Sequence, residues 1–171
     1  MNPILPGACR GATNFQSTKS TYGDQRYGKE VLEGIKHSGS LELNGTIVRQ
    51  ETKVDGHLHM SYAELNVLKI NGMCEANYSE VKGLATINGM LKACQTIFQN
   101  MAISTDHLKM DSCTTADITI IPCPNQVNQR ITLTNTWVKG SICFENGQGI
   151  VEIDKVSRID GQVSGGQILK K

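Results

Sequence analysis

Six cysteines give this chain of 171 residues its widest chemical choice: Cys9, Cys74, Cys94, Cys113, Cys123 and Cys143. A thiol can pair, ligate a metal or serve as a small buried hydrophobe. No two of these stand in Cys-x-x-Cys spacing, so neither a zinc ribbon nor a redox motif is written here. Cys113 and Cys123 lie ten apart and flank Pro122. They are the candidate disulfide, which would staple a proline-containing loop in an oxidising compartment. His57 and His59 alternate, so both side chains project from one strand face. A metal needs a third ligand, and the sequence places none beside them. Asp106, Asp111 and Asp117 leave paired-carboxylate glycoside chemistry open as an alternative. There is no Gly-x-Ser-x-Gly, phosphate loop, His-Glu-x-x-His or dinucleotide fingerprint. The reading is therefore of a protein that is not an enzyme, with no cofactor and no metal.

What must hold any such residues in place is a repeat. Ile70-Asn71-Gly72-Met73-Cys74-Glu75-Ala76 returns as Ile87-Asn88-Gly89-Met90-Leu91-Lys92-Ala93, with five of seven residues identical at an offset of 17. Looser copies surround Gly45, Gly56, Gly140 and Gly161. The offset from Gly89 to Gly140 is 51, three times 17. A fixed period of this length marks a stacked architecture. A coil of about 17 residues accommodates three short strands and three corners, so the expected fold is all-β: one domain, a three-sided parallel β-helix. Gly45, Gly56, Gly72, Gly89, Gly140 and Gly161 are its expected corner glycines. The alternative is an antiparallel β-sandwich, because Asn-Gly and Asp-Gly also close hairpins. Hairpins do not require a near-identical strand one period further along.

Period and alternation assign the faces. Ile70, Cys74 and Ala76, like Ile87, Leu91 and Ala93, point inward; Glu75 and Lys92 point outward and stack in adjacent coils. On the offset of 51, Val138, Gly140, Ile142 and Phe144 continue the same columns, and Cys143 follows Lys92. Cys74 reads as a small buried hydrophobe.

Composition agrees with a narrow stack. Charged residues make up 19% and aromatics 5%, against about 25% charge in ordinary domains. Lys and Arg total 17 against 16 Asp and Glu, a net charge of +1, which attracts neither nucleic acid nor an anionic membrane. No apolar run approaches the ~18 residues of a membrane span. The N-terminus is too short and uncharged for a secretory signal. Residues 1–38 are polar and read as a tail or cap. Residues 39–171 read as the β-helix, with a loop at 121–130 around Pro122 and Pro124.

Ile131 to Glu145, with its Val-x-Gly-x-Ile-x-Phe step, followed by Gly149 to Ile153 and the closing Ile159-Asp160-Gly161-Gln162-Val163-Ser164-Gly165-Gly166, resembles the bactofilin-like, polymer-forming β-helix proteins of bacteria. It looks especially like their small envelope or secreted relatives. The resemblance spans roughly residues 41–169 and rests on periodic glycines and aliphatics. It implies a right-handed three-sided helix that joins end to end into filaments. The six cysteines and the polar N-terminus depart from the family pattern and weigh against a cytoplasmic cytoskeletal role.

The function expected is structural: a β-helical rod forming a homo-oligomer or polymer through its coil ends, in the cell envelope or outside the cell. The polar N-terminal segment would cover its own first coil or reach a neighbour's last one. The alternative is an envelope or secreted binding module, adhesin-like or carbohydrate-binding, with a carbohydrate or cell-surface partner.

Overall fold

The structure, a computed structural model, describes residues 17–124 and 128–171. Among the described residues, seventeen strands join in one continuous parallel sheet that winds through about 9 turns. In chain order they are β1 (Lys19–Tyr27), β2 (Val31–Leu32), β3 (Ile35–Asn44), β4 (Ile47–Ser61), β5 (Glu64–Asn77), β6 (Glu80–Cys94), β7 (Ile97–Ser104), β8 (His107–Asp111) and β9 (Thr114–Thr115). There follow β10 (Ile118–Ile120), β11 (Gln129–Thr134), β12 (Trp137–Val138), β13 (Ile142–Phe144), β14 (Gly149–Ile153), β15 (Arg158–Ile159), β16 (Val163–Ser164) and β17 (Gln167–Lys170). Ile70 pairs with Ile87 and Cys74 with Leu91, both in parallel and both one repeat period apart. Every pairing among the described residues is parallel, which removes the sandwich.

Each coil is a triangle. In the second coil, side one is residues 35–38, side two is 40–44 and side three is Ile47–Val48. The first corner is Gly39, the second is Gly45–Thr46 and the third follows Val48. One inward column on side one runs Val54, Ile70, Ile87, Ile103, Ile120, Phe144. One on side two runs Leu41, Leu58, Cys74, Leu91, Leu108, Ile131, Val151. All of these are buried. Each such side chain contributes about 1.5–3 kcal/mol on burial, and each coil finds its partners only in the coils above and below.

The first corner explains the strongest repeat in the sequence. Gly23, Gly39, Gly56, Gly72 and Gly89 stack directly, all at positive φ. A Cβ built on Gly72 would lie 2.0 Å from the carbonyl oxygen of Gly56. The strand therefore turns the corner without leaving its ladder, and β4, β5 and β6 each run from side three of one coil through sides one and two of the next, for 15, 14 and 15 residues.

The second corner uses other chemistry. Gly45, Tyr62, Tyr78, Gln95, Ser112 and Asn135 occupy it in successive coils, each in the left-handed region. Just after them, Thr46, Ser79, Thr96 and Thr136 turn buried hydroxyls inward. Thr96 Oγ1 donates to the Cys94 carbonyl at 2.9 Å, and Thr136 Oγ1 to that of Thr134 at 2.8 Å. The same oxygens accept backbone N–H groups from the coil before: Ser79 N to Thr96, and Cys113 N to Thr136. These hydroxyls satisfy polar backbone that the turn would otherwise leave buried and unpaired.

Several expectations are corrected. The stack begins by Lys19: residues 19–38, read as part of the polar tail, form β1, β2 and the start of β3. Cys9 and the rest of residues 1–16 lie outside the described residues. The expected loop at 121–130 is shorter, because Gln129 already pairs with Gly149. The columns assigned through the offset of 51 are also displaced. The spacing between coils stays close to the repeat period as far as Ile118, which pairs back to Met101. Beyond it the steps lengthen, because Ile118 pairs forward with Ile142, and Ile142 with Val163. The loop after β10 and the turn after β13 supply the extra residues. Gly140 therefore stands at the third corner, beside Ala116 and Asp117, and Gly161 stacks on it. Gly45 stands at the second corner, and Gly56, Gly72 and Gly89 at the first. The six corner glycines thus belong to three corners, and Gly140, expected in the column of Gly72 and Gly89, stands outside it. Ile142 and Phe144 are inward as expected, but on side one; Cys143 follows Thr119, not Lys92.

Candidate functional site

The thiols do not gather. Cys74, Cys94, Cys113, Cys123 and Cys143 are all free. Cys113 sits inside the second corner, its Sγ donating to the Asp111 carbonyl. Cys123 follows Pro122, whose carbonyl accepts from Ser104 near the first corner. The two cysteines thus lie at opposite ends of side two, a five-residue strand of roughly 15 Å. A disulfide requires Cα atoms within about 7 Å, so the expected pairing is not formed. Burial pushes the Cys74 thiol up to about 12 and the Cys113 thiol up to about 11. Both are packing groups rather than nucleophiles.

His57 and His59 share the outer face of side two, as their alternation requires. His59 Nδ1 lies 3.4 Å from Glu75, while His57 stacks between Ser40 and Met73. Among the described residues no cluster of three His, Cys, Asp or Glu side chains is placed to hold a metal. Asp106 stands at the first corner, Asp111 at the end of β8 on side two and Asp117 at the third corner of one coil, so the three are set apart from one another.

The outer face of side two is instead a charge ladder. Glu75 and Lys92 do stack in adjacent coils, 4.0 Å apart. Arg26 pairs with Glu42 at 2.9 Å near one end of the stack. Near the other, Glu152 accepts from Arg130 at 2.8 Å and from Lys171 at 2.7 Å. Lys171, then Arg130, hold the Glu152 carboxyl below its ordinary value. Desolvation, with Lys109 and Arg130 close by, lowers His107, whose Nε2 lies 3.0 Å from Thr132 Oγ1. Ion pairs on such a face fix register and contribute little stability.

The two ends of the stack differ. The first described coil covers itself with polar groups. Lys19 lies over the Tyr27 ring at 4.8 Å and pairs with Glu30 at 3.7 Å. Thr21 hydrogen-bonds His37 Nδ1 at 2.8 Å, and His37 Nε2 donates to the Gly23 carbonyl. The last described coil leaves its apolar side chains uncovered. Ile168 continues the inward column of Val151 yet is 44% exposed, and neighbouring Leu169 is 47% exposed. Val163 and Ile159 are only partly covered.

Sequence reasoning missed Tyr62 and Tyr78. Their rings stack at 5.1 Å with 10° between planes, and both are exposed. The available signal was their offset of 16, each followed by a small residue, Ala63 or Ser79. It also missed Trp137, whose Nε1 donates to Asp160 at 2.9 Å while Lys139 and Arg158 lie over its ring. No protein-family model, curated protein or solved structure matches the chain.

Proposed function

We propose that this chain is a non-enzymatic structural rod that self-associates through its coil ends. The observation that carries this reading is the last described coil. Its inward column ends on Ile168, with Leu169 beside it, and the strand edge of β17 pairs with nothing beyond it among the described residues. An open parallel edge with apolar side chains is a template for another strand. The parallel stack also supports the resemblance to the bactofilin-like polymer-forming proteins, whose filaments grow by such end contacts. The partner surface is a second copy of the chain, either its last coil or its first.

Sedimentation velocity from micromolar to near-millimolar protein tests this. Wild type associates as concentration rises, and a double Ile168→Lys, Leu169→Lys variant stays monomeric at every concentration. Removal of residues 1–16, which leaves the first described coil intact, changes the oligomeric state if that segment reaches a neighbour. A wild type that remains monomeric throughout contradicts the proposal and favours the binding-module reading.

A further inference from the structure

The second corner carries a ladder of side chains with one rung missing. Tyr62, Tyr78, Gln95, Ser112 and Asn135 project from it in successive coils, and Gly45 holds the same position in the coil before Tyr62. Tyr62 therefore has Tyr78 against one ring face and a gap against the other. Lys29 bounds the gap from the first coil. Two coil steps separate Lys29 from Tyr62, roughly 9–10 Å of backbone spacing. The Lys29 stem lies partly in that height, its Cγ 2.9 Å from where a Cβ on Gly45 would stand, so a ring takes the place against Tyr62 as this flexible chain swings aside. The gap opens into a cleft of about 690 Å³ beside Tyr62. Val31 and Ile47 form its apolar floor, and both are exposed. Lys29, Glu30 and Asn44 complete its lining.

We propose that this cleft binds a single neutral hexopyranose residue of a glycan. A pyranose has an apolar C–H face and a hydroxyl edge. The free face of Tyr62, itself 64% exposed, takes the first. The ammonium of Lys29, the carboxylate of Glu30 and the amide of Asn44 offer donors and acceptors to the second. A wholly apolar occupant would strip water from these three groups without replacing its hydrogen bonds. An anion would meet Glu30 and an apolar floor. The site lies in the first three coils, far from the last one, so it stands independently of end-to-end assembly.

The test is saturation-transfer NMR with cellohexaose, chitohexaose and maltohexaose as probes. At least one sugar should receive saturation at its ring C–H protons. Tyr62→Ala should weaken that binding about tenfold or more, whereas Trp137→Ala should leave it unchanged. Gly45→Asn should also abolish it by filling the gap. Asparagine tolerates this backbone, as Asn135 shows at φ 45 in the same corner, and the nearest obstruction is the flexible Lys29 side chain. Circular dichroism and an unchanged unfolding midpoint would establish that Gly45→Asn is folded. The proposal is overturned if none of the three sugars binds, or if Tyr62→Ala or folded Gly45→Asn binds as wild type does.

Discussion

The coils through Asn100 and those after it share the same three sides, yet they are built differently. In the first group the glycine column carries strands of 14 and 15 residues around the first corner. In the second, Asp106 and then Gln129 stand where that column would continue, and no strand exceeds six residues beyond β7 and its eight. Gln129 is buried and donates to the carbonyls of Thr105 and Ile121 at 2.7 and 2.8 Å. One amide thus closes the corner that glycine otherwise closes by close backbone approach. The difference shows what a solenoid requires. Inward columns must stay aligned, whereas a corner can be rebuilt and can carry an insertion.

Substitution at the first corner should separate the two regions most sharply. Gly72→Ala places a Cβ 2.0 Å from a backbone oxygen at φ 138. The expected loss in urea unfolding is about 4 kcal/mol or more, or failure to fold. Gly147→Ala, with nothing within 4 Å, should cost only about 1 kcal/mol. Similar losses at both positions would break the distinction.

Next in size is truncation of inward residues. Leu91 is fully buried, so Leu91→Ala should cost about 2–5 kcal/mol. Val163 lies near the opposite end and is only partly covered, so Val163→Ala should cost less than about 1 kcal/mol in monomeric protein. Equal costs would mean that the last coil is packed as firmly as the fifth.

Hydroxyl removal sharpens the comparison within the regular region. Thr96→Val removes a donor and an acceptor from the buried second corner and should cost about 1–3 kcal/mol. Thr52 Oγ1 is buried on side one and has no partner among the described residues. Thr52→Val should therefore be neutral or stabilising, as urea titration of the two variants would reveal.

The smallest effect concerns acid. Glu152 is held below its ordinary value of 4.5 by Lys171, with Arg130 and His107 adding to it. A lowered folded value means a contribution fully present above about pH 4.5 and lost as pH falls through the folded value. Amides of β14 and β17 should lose protection across that window before those of β5 do, as followed by NMR. Glu152→Gln should remove the difference.

These contrasts also mark what was legible in the sequence. Ile70 to Ala76 and Ile87 to Ala93 face identical surroundings in adjacent coils, so their near-identity revealed the period, the parallel pairing and the burial of Leu91. Gly140 misled because spacing counts residues, whereas coils are set by register; the inserted residues before Gln129 moved it to another corner. Lys19 to Ser38 look polar because the first coil caps itself with Lys19, Glu30 and Thr21. Tyr62 and Tyr78 escaped notice because left-handed backbone at tyrosine leaves no mark in composition; only the stack shows that they share a position with Gly45.

We propose that a second copy adds to the open edge of the last described coil, whereas the regular coils are already paired on both sides. Amide hydrogen exchange measured at several protein concentrations tests it most directly. Strand addition should slow exchange across β16 and β17 as concentration rises, leaving β5 and β6 protected to the same degree throughout. Exchange in β16 and β17 that does not change with concentration would contradict the claim.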